Sequence, residues 1–301
     1  MTSVHKGNVA GALAILLWST LALFTVSTGA IPPFQLTFMA FFVAFILGMV
    51  WWFKRGADVD IYTKLPLKVW LVGVYGLFGY HFFYFLALKS APSLEANLIN
   101  YLWPLLIVVL SALLPQEKLR WYQSVGAMLG FMGALVLLGS KGLSFSSEYI
   151  HGYGYALLCA FIWSSYSVLS RYFAHVPTEA VGGFCGVSAL CSLVAHGVFE
   201  ETYMPSSSEM LFILGLGIGP VGLAFFVWDY GMKKGDIQLI GALSYATPLL
   251  STLLLVLFQD AKLTLWIGVA CALIVGGSMV SAWPFFKALA QKINTRNPPL
   301  S

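Results

Sequence analysis

The stretch NLINYLWPLL at 97–106 returns 144 residues later as GALSYATPLL at 241–250. Tyr101, Pro104, Leu105 and Leu106 reappear as Tyr245, Pro248, Leu249 and Leu250. Both copies carry polar residues and a proline in a chain that is otherwise greasy, so packing alone does not explain them. The match continues without a gap. Downstream, Gln116-Glu117-Lys118-Leu119 faces Asp260-Ala261-Lys262-Leu263, and Gly133 faces Gly277. Upstream, at a spacing of 145, Trp18-Ser19 matches Trp163-Ser164. A repeat on this scale marks a duplicated structural unit, with halves at 1–145 and 146–301 forming one integrated domain.

The composition says where those halves live. The chain is 59% hydrophobic and 9% charged, with mean hydropathy +0.84, whereas soluble domains carry about 25% charged residues. Residues 8–53 contain no Asp, Glu, Lys or Arg, and Pro32-Pro33 makes a turn in their middle. At roughly 20 apolar residues per crossing, this is a helical hairpin. Continued along the chain, the same reading predicts ten spans near 8–28, 34–53, 68–88, 93–114, 121–140, 152–172, 179–199, 210–231, 237–258 and 263–284. The first is longer than a signal-peptide core of about 7–15 residues and runs straight into the second, so it is expected to be retained. The expected fold is an all-α membrane protein of ten transmembrane helices in two five-helix repeats. Five is odd, so the second repeat enters the bilayer from the opposite face. Inverted repeats place a substrate site near the midplane, between the halves, here in a central cavity that opens to each side by alternating access.

Charge orients the bundle. Ten spans put both termini on one side, and thirteen of the 16 basic residues fall there, leaving Lys89, Lys141 and Lys262 opposite. Cytoplasmic loops carry the Lys/Arg excess, so both termini are expected in the cytoplasm. Topology thus accounts for the basic residues without a nucleic acid. Cys159, Cys185, Cys191 and Cys271 all fall within predicted spans with no CxxC or Cys/His spacing. Neither a disulfide frame nor a metal or other cofactor is expected.

Candidate site residues follow from helical periodicity. Positions i, i+3, i+4 and i+7 share a face, which groups Asn97, Asn100, Tyr101 and Pro104, and, in the other half, Gly241, Ser244, Tyr245 and Pro248. Each proline frees a carbonyl one turn earlier, that of Asn100 or Ser244, and a freed carbonyl within a membrane needs a neighbour or a watery cavity. Pro104 and Pro248 are therefore read as helix breaks that serve gating. Tyr80, His81 and Tyr84 add polar groups from the third span. His81 is either a functional ionisable group or a neutral ring bonded to a carbonyl. Glu95 and Asp229, toward span ends, are expected to pair with Lys89 and Lys233. Trp18, Trp103 and Trp163 lie mid-span, Trp228 nearer an end, and the duplicated Trp18/Trp163 pair is the preferred ring wall. The glycines of 126–133 and 268–277 allow close helix packing. A monomer is expected, with a homodimer through these glycines as the alternative.

The ten spans, the five-plus-five halves, the proline-bearing fourth and ninth spans and the Gln116-Glu117-Lys118-Leu119 lead into a glycine-rich fifth span resemble the drug/metabolite transporter superfamily, EamA type. The family often has a Glu after the ninth span; Gln259-Asp260-Ala261 stands there instead. Within it, the chain looks most like the bacterial aromatic amino acid exporters of the inner membrane. That resemblance implies ten helices around a central cavity and export of Phe, Tyr and Trp. The small-molecule substrate and the lipid bilayer are then the only partners expected.

Two other readings compete. A broad drug or metabolite exporter would use the same walls. An intramembrane enzyme needs a nucleophile with a base in reach; Ser19, Ser111, Ser164, Ser244 and His81 are available, but no HExxH, GxSxG or paired intramembrane Asp is present. The expectation is a transporter and not an enzyme.

Overall fold

A computed structural model describes residues 2–56, 60–115, 117–140, 142–258, 264–284 and 287. Gln116, Lys141, Lys292, Arg296 and residues 259–263, which carry part of the repeat and of the charge pattern, lie outside them. The regular structure of the described residues is all helical, with no strand. In chain order the helices are α1 (Ser3–Ser19), α2 (Leu21–Val26), α3 (Pro33–Arg55), α4 (Asp60–Thr63), α5 (Leu67–Val74), α6 (Tyr80–Ser90), α7 (Ser93–Asn100) and α8 (Trp103–Ser111). After them come α9 (Trp121–Gly139), α10 (Ile150–Tyr172), α11 (Ala180–Phe199), α12 (Ser207–Ile218), α13 (Ala224–Lys234), α14 (Ile237–Leu243), α15 (Ala246–Phe258) and α16 (Leu265–Ser281).

Eight helical runs among the described residues are long and apolar enough to cross a bilayer. They are Ser3–Thr25, Pro33–Arg55, Leu67–Ser90, Ser93–Ser111, Trp121–Gly139, Ala180–Phe199, Ser207–Lys234 and Ile237–Leu254. Two further expected spans coincide with helices that fall short of that standard. α10 is 23 residues long but bears Ser164, Ser165, Ser167 and Ser170, and α16 is apolar but only 17 residues long.

The helix ends follow local chemistry. α3 starts on Pro33, where a missing N–H costs nothing, and stops at Gly56, whose φ of 59° favours glycine. Ser206 and Glu209 form a capping box at α12, and the Asp236 carboxylate accepts the Leu239 N–H at the start of α14, 3.0 Å away.

The repeat shows in the irregularities. α5 and α6 join through a π-helical turn, Tyr75–Gly79, and α12 and α13 through another, Gly219–Leu223. These two turns are offset by the same 144 residues as the quoted stretch. The proline segments break alike, at Tyr101–Leu102 between α7 and α8 and at Ser244–Tyr245 between α14 and α15.

The halves interlock. The most extensive helix contacts all join residues before 145 to residues after it: α9 with α16, α3 with α11, α1 with α13, and α6 with α10. The last two exchange under the repeat shift. Gly126, Gly130, Gly133 and Gly277 lie in the seam of α9, α16 and Tyr245. That close approach is therefore used within one chain, whereas Gly268 and Gly276 face open space.

Candidate functional site

Four indoles from four helices meet at the centre of the bundle. Trp18 of α1 lies 5.5 Å from Trp163 of α10, 6.2 Å from Trp103 of α8 and 4.8 Å from Trp228 of α13, centroid to centroid. Phe225 closes the group at 6.2 Å from Trp18 and 5.7 Å from Trp163. Most pairs meet edge to face, the arrangement favoured by ring quadrupoles. The duplicated pair Trp18/Trp163 is thus in direct contact. Trp228, placed nearer a helix end by sequence, is wholly buried here. Its N–H donates to Ser167 Oγ at 3.1 Å, and Ser167 Oγ donates to the Trp163 carbonyl at 2.8 Å.

A polar row adjoins the indoles. Tyr80 lies 5.5 Å from Trp163 and stacks on Tyr84 at 5.8 Å with ring planes 8° apart. The Asn100 amide donates to Tyr80 Oη at 2.9 Å, and the Tyr84 hydroxyl donates to Asn97 Oδ1 at 2.7 Å. Asn97 in turn donates to the Ser93 carbonyl at 2.7 Å. Asn100 is buried, and its Oδ1 has no partner among the described residues. Tyr80, Tyr84, Asn97, Trp18 and Tyr101 are half-buried, with Tyr101 at the break between α7 and α8.

His81 bonds within its own helix. Its Nδ1 is 2.7 Å from the Leu77 carbonyl oxygen, which only accepts, so Nδ1 carries the proton. Phe41 at 5.1 Å, Tyr80 at 5.3 Å and Phe225 at 6.3 Å surround the ring, and it makes no ion pair among the described residues.

Ser244 and Tyr245 stand apart from this group. Tyr245 is fully buried among Val108, Ala127, Ala134, Leu249 and Ile274, with Phe131 at 6.3 Å. It faces the α9–α16 seam because Gly130 leaves room for its ring there. Ser244 Oγ donates to the Ile240 carbonyl at 2.8 Å, and the Ser244 carbonyl accepts the Thr247 N–H at 3.0 Å. The carbonyl expected to be freed by Pro248 is therefore satisfied locally. Pro104 and Pro248 are both buried. The two proline segments pack together through α8 and α14, where Gly241 rests on Ile107 and the Pro104 carbonyl.

Toward the helix ends that carry Arg55, Arg171 and Lys234, polar groups tie neighbouring helices together. Arg171 donates to Glu117 Oε1 at 2.6 Å and to the carbonyls of Met232 and Gly235 at 3.1 and 2.7 Å. Lys233 and Asp229 form a buried pair at 2.7 Å, completed by Thr178 on the carboxylate and by the Val176 carbonyl on the ammonium. At the other end of α10, Glu95 does not meet Lys89; its carboxylate accepts the Ser144 N–H at 2.7 Å. Tyr62 of α4 donates to the Glu179 carbonyl at 3.0 Å, and burial, with the Glu179 carboxylate nearby, pushes its phenol up to about 12. A cavity of about 800 Å³ opens beside these ties, lined by Leu47, Trp51, Arg55, Phe226 and Lys234 among others. None of the candidate substrate residues named from the sequence lines it.

The model of the EamA-like transporter family matches residues 5–139 and again residues 150–283. The chain belongs to this family. The "Aromatic amino acid exporter YddG" of Ancylobacter novellus is 54% identical over 281 residues, covering 93% of this chain and 98% of the relative. The protein of the same name from Escherichia coli (strain K12) is 25% identical, covering 92% and 96%. A solved crystal structure matches with a TM-score of 0.89 at 53% identity, covering 92% of this chain and 98% of that one. EamA-like membership makes the chain a multi-pass membrane transporter and not an enzyme. The double match falls on the two sequence halves.

Within this EamA-like fold, the sequence reading passed over Arg171, which it counted only as a topology charge. Its role is invisible in one dimension because its three partners lie 54–64 residues away. Trp103 and Trp228 were visible as residues but not as partners of the repeat pair.

Proposed function

We propose that the chain exports aromatic amino acids, or similar small amphiphiles, from the bacterial cytoplasm across the inner membrane. Ten spans form two inverted five-helix halves, both termini are cytoplasmic, and the substrate binds where the halves meet. The observation that carries this reading is the contact between the repeat mates Trp18 and Trp163, flanked by the Tyr80–Asn100 and Tyr84–Asn97 pairs. The indoles and Tyr80 offer ring faces to an aromatic side chain. The unpartnered Asn100 Oδ1 is an acceptor for its ammonium, aided by cation–π attraction. Trp18, Tyr80, Tyr84, Asn97, Asn100, Tyr101 and Trp163 are the substrate residues. His81 holds the wall in place, and Ser244, Tyr245, Pro104 and Pro248 shape the helix breaks behind it. The relatives named as aromatic amino acid exporters support the substrate class.

The test is uptake of labelled Phe and Trp into liposomes containing the purified protein, with and without a pH gradient. Saturable uptake above empty vesicles, inhibited by unlabelled Tyr but not by Lys, is expected. Folded protein that moves neither Phe nor Trp would overturn the substrate assignment, and the gradient arm reads the coupling.

A further inference from the structure

The 800 Å³ cavity lies outside the indole cluster and has a graded wall. Its inner part is apolar, built from Leu47, Ile218, Leu223, Phe226 and Val227. Ile218 and Leu223, at the π-helical turn midway along the run Ser207–Lys234, are 50% and 45% exposed, so this end opens sideways onto the membrane. Its outer part is cationic. Arg55 lies over Trp51 at 4.7 Å and pairs with Glu179 at 3.2 Å, whereas Lys234 is exposed and makes no ion pair among the described residues. Lys233, also in the wall, is neutralised by Asp229. The net charge of the rim therefore rests on Lys234.

The dimensions match half a bilayer. Leu223 and Lys234 are eleven residues apart, about 16 Å along the helix, and one leaflet of hydrocarbon is roughly 15 Å deep. A trough that is apolar at mid-membrane, open to the side and cationic at one leaflet's edge has the polarity of an anionic phospholipid. Basic pockets between membrane helices hold anionic headgroups in this way. An amino acid zwitterion fits less well. It would leave most of the apolar length unfilled, and the Glu179 carboxylate it would need for its ammonium is already held by Arg55.

We propose that this cavity is a binding site for one anionic phospholipid of the leaflet on the Arg55/Lys234 side, with the headgroup on Lys234 and Arg55 and an acyl chain along Phe226 and Val227 toward Ile218. The site is separate from the substrate residues, and its test is independent of transport.

The experiment is native mass spectrometry of the intact purified protein exposed to equal amounts of phosphatidylglycerol and phosphatidylcholine. Wild type retains one phosphatidylglycerol in preference to phosphatidylcholine. Lys234→Gln, an exposed change that leaves the core alone, lowers the preference about fivefold, as expected for one charge near a membrane surface. Val227→Trp, which fills the apolar trough, removes retention of both lipids. A photoreactive acyl chain, used in parallel on wild type, labels Ile218 or Leu223. Equal retention of the two lipids by wild type, retention unchanged in both variants, labelling elsewhere, or displacement of the lipid by Phe or Trp would each overturn the proposal.

Discussion

The indole N–H of Trp18 donates to the carbonyl oxygen of Pro220 at 2.9 Å, across 202 residues. Pro220 sits in the second π-helical turn, so the ring cluster is anchored to one of the two duplicated irregularities. Trp163, the repeat mate of Trp18, makes ring contacts but, among the described residues, no hydrogen bond through its own indole nitrogen. The halves are alike in sequence register and unlike in this bond. Trp18→Phe should therefore lower stability by about 1–2 kcal/mol through the orphaned Pro220 carbonyl, and Trp163→Phe by less. Thermal melting of the two purified variants compares them, and equal losses would contradict the anchoring role.

The first π-helical turn makes its own forecast. Gly76 lies against the Tyr166 ring with no room for a methyl group, while the nearest atom to a Cβ at Gly79 would be 3.9 Å away. Gly76→Ala should cost about 1–3 kcal/mol from overpacking, and Gly79→Ala should be near neutral or slightly stabilising. The same melting assay reads both. A π-helical turn held open by that ring contact would be contradicted by a harmless Gly76→Ala.

These two turns show how far the sequence could be read. The helical runs and the 144-residue repeat are written as hydropathy and identity, so most span positions were legible. So were the breaks at Tyr101 and Tyr245, because proline cannot donate to the turn before it. What a helix faces beyond its neighbours was not legible. Tyr101 and Tyr245 are repeat mates on equivalent faces, yet Tyr101 adjoins the polar row and Tyr245 is buried against Gly130. That difference is set by the partner helix, which periodicity does not name. Arg171 was missed for the same reason, since its worth lies in distant carbonyls.

Asp229 and Lys233 test the buried ties between the helices. Removing one charge leaves the other buried without compensation, at a cost of roughly 3–5 kcal/mol, while replacing both by apolar residues of similar size is often neutral. Asp229→Leu should unfold the protein at lower temperature, and Asp229→Leu with Lys233→Met should recover most of the loss. A double variant no better than the single would show that the pair is needed for more than charge balance.

Arg171 closes the gap between the connection before α9 and the turn between α13 and α14. Arg171→Lys keeps the charge but loses the fork that reaches Glu117, Met232 and Gly235 together. It should lower stability by about 1–3 kcal/mol, whereas Glu117→Gln should cost less because the two carbonyls keep their donor. A double-mutant cycle should give a coupling of about 1 kcal/mol or more between Arg171 and Glu117. No coupling would remove Glu117 from the tie.

The most direct test of the substrate site is equilibrium binding of labelled Phe to purified wild type, Asn100→Ala, Trp163→Ala and Tyr245→Phe, each first shown to be folded. The account predicts at least tenfold weaker binding for Asn100→Ala and Trp163→Ala, about 1.4 kcal/mol or more, with Tyr245→Phe close to wild type. Undiminished binding in Asn100→Ala and Trp163→Ala, or a loss confined to Tyr245→Phe, would place the substrate elsewhere and contradict it.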